Sequence, residues 1–150
     1  MRIRTVGLAA LAAASAVAAG CGGGGGDRLS QEEFVAAADA ICAEANEQLG
    51  DLPDPETFED IVELADQAIP VQEDAIEQLR ELQPPEGSQE AFDRAIDLLE
   101  QQAELGNQLR EAAEAEDAGQ ITELISSLDP IDEEADQIAT DLGLQECGND

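Results

Sequence analysis

The side chains able to do chemistry in this 150-residue sequence are three cysteines, 36 carboxylates, six arginines and a scatter of hydroxyls. Lys, His, Tyr and Trp are absent. Without His there is no imidazole base and no His-ligated metal, and without Lys no Schiff base. Ser126 and Ser127 have no His to activate them. Carboxylates are so abundant that spacing singles out no acid–base pair for hydrolysis. The missing general base argues against an enzyme, so no catalytic residue and no cofactor is expected. A formal net charge of −30 excludes a nucleic-acid partner, because phosphate-backbone binding runs on Lys and Arg.

The carboxylates also raise the question of a metal. Asp93, Asp97, Glu100 and Glu104 in one segment, and Asp132 and Asp136 in another, recur at spacings of three and four, which places them side by side on helices. Calcium needs six to eight oxygens in suitable geometry. No Asp-x-Asp-x-Asp-Gly loop is present, and Asp51 to Val62 lacks the closing Glu. A di-iron bundle needs Glu-x-x-His. The expectation is therefore no defined metal site but a solvated acidic surface that gathers divalent cations weakly. A divalent-cation-binding module built on those six residues is the alternative. Arg80, Arg94 and Arg110 could meet an anion, yet each has acids within helical reach, as Glu90 and Asp97 flank Arg94. Exposed pairs of this kind are worth about 0–1 kcal/mol.

The first cysteine belongs to an address. Residues 1–20 hold no acid; Arg2 and Arg4 open them, and Val6 to Ala19 is an apolar run broken only by Gly and Ser. At 14 residues it falls short of the ~20 that span a bilayer and reads as a secretory signal peptide. It ends Val17-Ala18-Ala19-Gly20-Cys21, which resembles a bacterial lipobox with Ala18 where Leu is preferred. That resemblance implies a lipid on Cys21, cleavage on its N-terminal side and a membrane partner held through that anchor. The alternative is ordinary cleavage after Ala16-Val17-Ala18. Gly22 to Gly26 form a tether with no cheap single conformation. Residues 1–20 are thus read as signal, 21–29 as lipidated Cys and tether, and 30–150 as the folded domain. Cleavage leaves every acid and four arginines, a mature charge of 4 − 36 = −32.

An exported chain enters an oxidising compartment, so the remaining pair, Cys42 and Cys147, is expected to form a disulfide. The alternative is one buried thiol and one free tail thiol. Neither residue sits in Cys-x-x-Cys or beside a cation, which argues against a redox role.

These residues must be positioned by helices. Ser30 and Glu33 form a capping box, with Leu29 and Phe34 as a hydrophobic staple, and Glu33 at the helix start should titrate low. The first stripe is Val35, Ala38, Cys42, Ala45 and Leu49, stopped by Gly50. A second helix starts near Pro55 or Thr57, with Phe58, Ile61, Val62, Ala65, Ile69, Ile76 and Leu79 in phase across Pro70. Proline in a helix interior costs about 3 kcal/mol, and the preserved phase predicts a kink there. Ser88 should cap a third helix running to about Asp117, lined by Phe92, Ile96, Leu99, Ala103, Leu109 and Ala113. Gly119 should separate it from a fourth, Ile121 to Leu142, kinked at Pro130 and stopped by Gly143. No segment alternates like a strand. The predicted fold is all-α, a four-helix up-down-up-down bundle. Its many alanine seams predict close helix packing and no large cavity.

Phe34-Val35-Ala36-Ala37-Ala38-Asp39-Ala40-Ile41-Cys42, Leu142-Gly143-Leu144-Gln145-Glu146-Cys147-Gly148 and the lipobox-plus-glycine start resemble small helical lipoproteins of high-GC actinobacteria, a generally uncharacterised group. The resemblance implies a helical, disulfide-closed envelope protein and supplies no activity. The functional expectation is a non-enzymatic interaction or structural module, lipid-anchored on the extracytoplasmic face of the cell membrane, with an envelope protein as candidate partner.

Overall fold

The structure is a computed structural model in which residues 28–148 are described. Residues 1–20, read as a signal peptide, Cys21 and the glycine run lie outside the described residues. Four helices, α1 (Gln31–Gly50), α2 (Phe58–Arg80), α3 (Gln89–Glu114) and α4 (Ala118–Leu142), pack against one another, and no strand occurs among the described residues. None of these helices is long and apolar enough to cross a membrane.

Local chemistry sets most of the helix ends. Ser30 and Glu33 complete the capping box of α1, and Leu29 packs against the core cluster that holds Phe34. Thr57 and Asp60 form a second capping box on α2. Three expected boundaries move. Ser88 precedes α3 in a right-handed conformation (φ −97°, ψ −7°) and its side chain makes no cap bond; the turn after Pro84 and Pro85 enters the helix without it. Gly50 is the last residue of α1, and Asp51 caps it with right-handed backbone. The α3–α4 break falls at Ala115–Asp117, with Gly119 inside α4, because the side chain of Asp117 accepts from Gln120 N and so starts the helix earlier. Pro70 and Pro130 lie inside continuous helices.

Glu116 occupies the left-handed region at φ 54°. Its N–H donates to Ala113 O, and that of Asp117 to Ala112 O. Gly143, at φ 81°, makes the same two bonds at the end of α4 together with Leu144. This turn favours glycine, since a Cβ there costs about 1–2 kcal/mol. Part of that is offset by glycine's greater unfolded-state freedom. Glu116→Gly should therefore stabilise the domain by about 0.5–1 kcal/mol, read as a higher urea midpoint. An unchanged midpoint would show that the turn holds Glu116 without strain.

Two apolar clusters form the core. One joins the start of α1 (Phe34, Ala38), the end of α2 (Ile76, Leu79), the start of α3 (Phe92, Ile96) and the end of α4 (Ala139, Leu142). Phe34 is fully buried and meets Phe92 edge to face at 5.1 Å, the geometry aromatic quadrupoles prefer. The other joins Phe58, Ile61 and Val62 of α2 to Ala112 and Ala113 of α3 and Ile121 and Leu124 of α4. Ile125 of α4 is left 52% exposed. Backbones pack closely between α2 and α3 and between α3 and α4, and α1 lies along α2.

Residues 28 and 29, read as part of the tether, are docked. Arg28 Nη1 donates to Pro84 O (2.9 Å) and Gln89 Oε1 (3.1 Å), and Leu29 N donates to Gln83 O (2.9 Å). Arg28 and Leu29 thus belong to the packed fold, because the α2–α3 turn leaves acceptors that these donors reach.

Candidate functional site

The tail that follows α4 shapes the site. Gln31 of α1 donates to Leu142 O at 2.7 Å. Asp39 Oδ1 accepts from the backbone N–H groups of Gln145 (2.8 Å) and Glu146 (3.0 Å), and Asn46 donates to Glu146 O (2.8 Å). Cys147 is bonded to Cys42, with Cα atoms 5.0 Å apart. Leu144 is buried in the first core cluster. A Cβ placed on Gly148 would lie 3.2 Å from Ala139 Cβ and 3.7 Å from Asp136 Oδ1. The tail therefore climbs α1 while touching α4 and occupies the seam between them.

This arrangement overturns the expectation of a closed alanine seam. A half-open cavity of about 420 Å³ is lined by all four helices and by the tail. Its small side chains include Ala45, Ala65, Ala68, Ala135 and Gly106. Small residues close a seam only if the helices are free to approach, and the tail, fixed by Cys147 and Asp39, lies between α1 and α4. Gly106 shows how intimate the α2–α3 contact is, since a Cβ there would be 3.7 Å from Ile69 Cγ1. Leu49, Ile69, Leu99, Leu109 and Leu128 provide most of the apolar bulk. The size and lining are those of small-molecule sites.

The charged residues that line the cavity are Asp132, Asp136 and Glu146, and none of the described arginines borders it. The described arginines are engaged elsewhere: Arg80 with Glu100, Arg94 with both carboxylate oxygens of Glu134 (2.8 Å each), and Arg110 with Asp66 and Glu114. Gln102 donates to Asp132 Oδ1. Titration follows these contacts. Glu33 is held below the usual carboxylate range by hydrogen bonds from the Ser30 side chain and backbone, as its capping position implies. Asp60 is lowered by the Thr57 side chain and then by the N–H groups of Glu56 and Thr57. The Arg94 guanidinium holds Glu134 low.

Of the sequence-derived site residues, Cys42 and Cys147 are brought together, and Cys21 lies outside the described residues. The six carboxylates considered for a cation are not gathered. Asp93 accepts from Gln89, Glu104 from Gln108, Glu100 faces Arg80 and Asp132 faces Gln102. Among the described residues no three His, Cys, Asp or Glu side chains form a metal-ligating group. Ser126 and Ser127 donate to the carbonyls of Thr122 and Glu123 one helical turn back. Asp39, which holds the tail, was not singled out by the sequence. Its one signal is an acid three residues before Cys42, on the buried side of α1. Compared with protein-family models, curated proteins and solved structures, the chain matches none.

Proposed function

We propose that the chain is an exported lipoprotein, anchored through Cys21 to the extracytoplasmic face of the cell membrane, whose helical domain is a non-enzymatic binding or structural module of the envelope. The Cys42–Cys147 bond is the observation that carries this reading, because such bonds persist in oxidising compartments. The signal-like residues 1–20 and the small residues before Cys21 support it independently. The domain is an up-down-up-down bundle kinked at Pro70 and Pro130. The first core cluster supports this topology, since it unites the starts of α1 and α3 with the ends of α2 and α4. With Arg28 docked, the seven steps from Cys21 span at most about 25 Å. The acidic domain is thus held close to the bilayer.

Cys21→Ser tests the anchor. The wild-type protein should fractionate with membranes and show a lipid-modified N-terminal Cys by intact mass. The variant should be released or persist as precursor. A wild-type protein found wholly soluble, starting at another residue, would overturn the proposal.

A further inference from the structure

We propose that the cleft between α1 and α4 binds one uncharged single-chain lipid with a hydroxyl head. The head would sit at Gln72 and the chain would run past Gly106 among Leu109 and Leu128. The proposal deepens the binding-module reading and stands apart from the Cys21 anchor, which its test does not involve. Polarity, charge and shape lead to it separately.

Polarity places the head. Helix α2 lines the cleft from Ile61 to Leu79 with Ile, Leu and Ala at every position but Gln72. Gln72 is half-buried, and its carboxamide has no hydrogen-bond partner among the described residues. The other two amides of the lining are already used: Asn46 donates to Glu146 O and Gln102 to Asp132. Ile69 Cγ1 lies 3.7 Å from where a Cβ on Gly106 would stand. Gln72 is one turn beyond Ile69 and Gln102 one turn before Gly106, so in oppositely running helices the two glutamines share a level. A half-buried carboxamide without a partner favours a group that both donates and accepts, as a hydroxyl does.

Charge sets the kind of head. The charged residues lining the cleft are acids, and none of the described arginines borders it, so a carboxylate or sulfate head meets like charge. A cationic head finds no prepared cage either. Asp132 already accepts from Gln102, and among the described residues no three His, Cys, Asp or Glu side chains gather. An uncharged head is what remains. Shape then sets the tail. From Gln72 back to Ile61 the α2 wall extends about 16 Å, and Ala65, Ala68 and Gly106 leave room along it. None of the three phenylalanines borders the cleft, so a flat ring finds no stacking partner. A flexible hydrocarbon matches the aliphatic lining instead.

The test is a heteronuclear NMR titration of the full-length oxidised chain with 1-decanol, in roughly 0.15 M salt to screen the diffuse field. One equivalent should saturate, and the Gln72 side-chain amide and the Gly106 backbone amide should be among the shifted resonances. Gly106→Leu and Ala135→Leu, which fill the cleft from α3 and α4, should each weaken binding at least tenfold, so a fold defect in one of them does not decide the outcome. Gln72→Leu and Gln72→Ala should each weaken it at least threefold. The first keeps the bulk of the side chain and the second removes it, so a loss with both reports the head contact rather than space. Decanoate and decylammonium should bind at least tenfold more weakly than decanol. The inference is overturned if decanol does not saturate, as for a cleft that serves a protein partner, or if several equivalents adsorb unaffected by the filling variants. It is equally overturned if either charged amphiphile binds as tightly as decanol, or if both Gln72 variants keep full affinity.

Discussion

Reducing the Cys42–Cys147 bond is expected to destabilise the domain by about 4–5 kcal/mol, the value that chain-entropy reasoning assigns to a loop of this length. The two cysteines are 105 residues apart, so the bond closes nearly the whole folded chain on itself. A domain of this size has roughly 5–15 kcal/mol in total, and the melting temperature should fall steeply. The loss should be uneven. Apart from Phe34, Ala38 and its neighbours in the first cluster, α1 is held by the tail, through Gln31, Asp39, Asn46 and the disulfide. Hydrogen exchange after reduction should therefore accelerate first in α1 and residues 143–148, while α2 and α3 keep their protection. Cys42→Ala with Cys147→Ala should reproduce the effect without reductant. Equal melting temperatures with and without reductant would show that packing alone fixes α1.

Where the sequence was legible, a local signal and a distant contact agreed. Ser30, Glu33, Leu29 and Phe34 specify the start of α1 by reciprocal hydrogen bonds and apolar packing; of these Phe34 enters the core and Leu29 packs against it. Gly143 specifies the end of α4 through its left-handed turn. Glu116 takes the same conformation without glycine, so nothing in its side chain marks the α3 terminus. Gly119, the obvious breaker, was instead absorbed into α4 once Asp117 capped it. Helix count and phase thus survive on periodicity, whereas boundaries depend on turns whose residue types are permissive.

The cleft was illegible for a different reason. Periodicity identifies Ala45, Ala65 and Ala135 as inward-facing but says nothing of the distance between the faces they share. That distance depends on the tail, and the tail's position follows from two backbone N–H groups finding Asp39 across 106 and 107 residues. The cysteine pair was predictable from compartment and even count. A bond between them draws the tail back along α1; that the tail would also keep α1 and α4 apart was not legible, because no stripe or cap encodes a non-helical segment.

The charge produces the second large effect, and its sign needs two contributions. Glu33, Asp60 and Glu134 are held below the usual carboxylate range by their hydrogen-bond partners. A depressed carboxylate adds stability that is present above its unfolded pKa and lost as pH falls through the folded one. These three should therefore weaken the fold only in acid, below about pH 4. The mean field acts the other way. Folding confines the 34 acids of residues 28–148 with four arginines, and a compact, self-repelling polyanion binds protons more readily than the expanded chain. Each extra proton bound by the folded state across one pH unit is worth about 1.4 kcal/mol. An excess of two or three would move stability by about 3–4 kcal/mol. At low salt the melting temperature should thus rise from pH 8 to a maximum near pH 5 and fall again below about pH 4 as the cap and ion-pair carboxylates protonate. Raising salt from 0.01 to 0.15 M shortens the screening length from about 30 Å to about 8 Å, which should raise the pH 8 value and flatten the climb. Magnesium or calcium should act the same way at lower concentration. A melting temperature that drops between pH 8 and pH 5 at low salt would show that specific ionised contacts, such as Arg94–Glu134 and Arg110–Asp66, outweigh the collective repulsion.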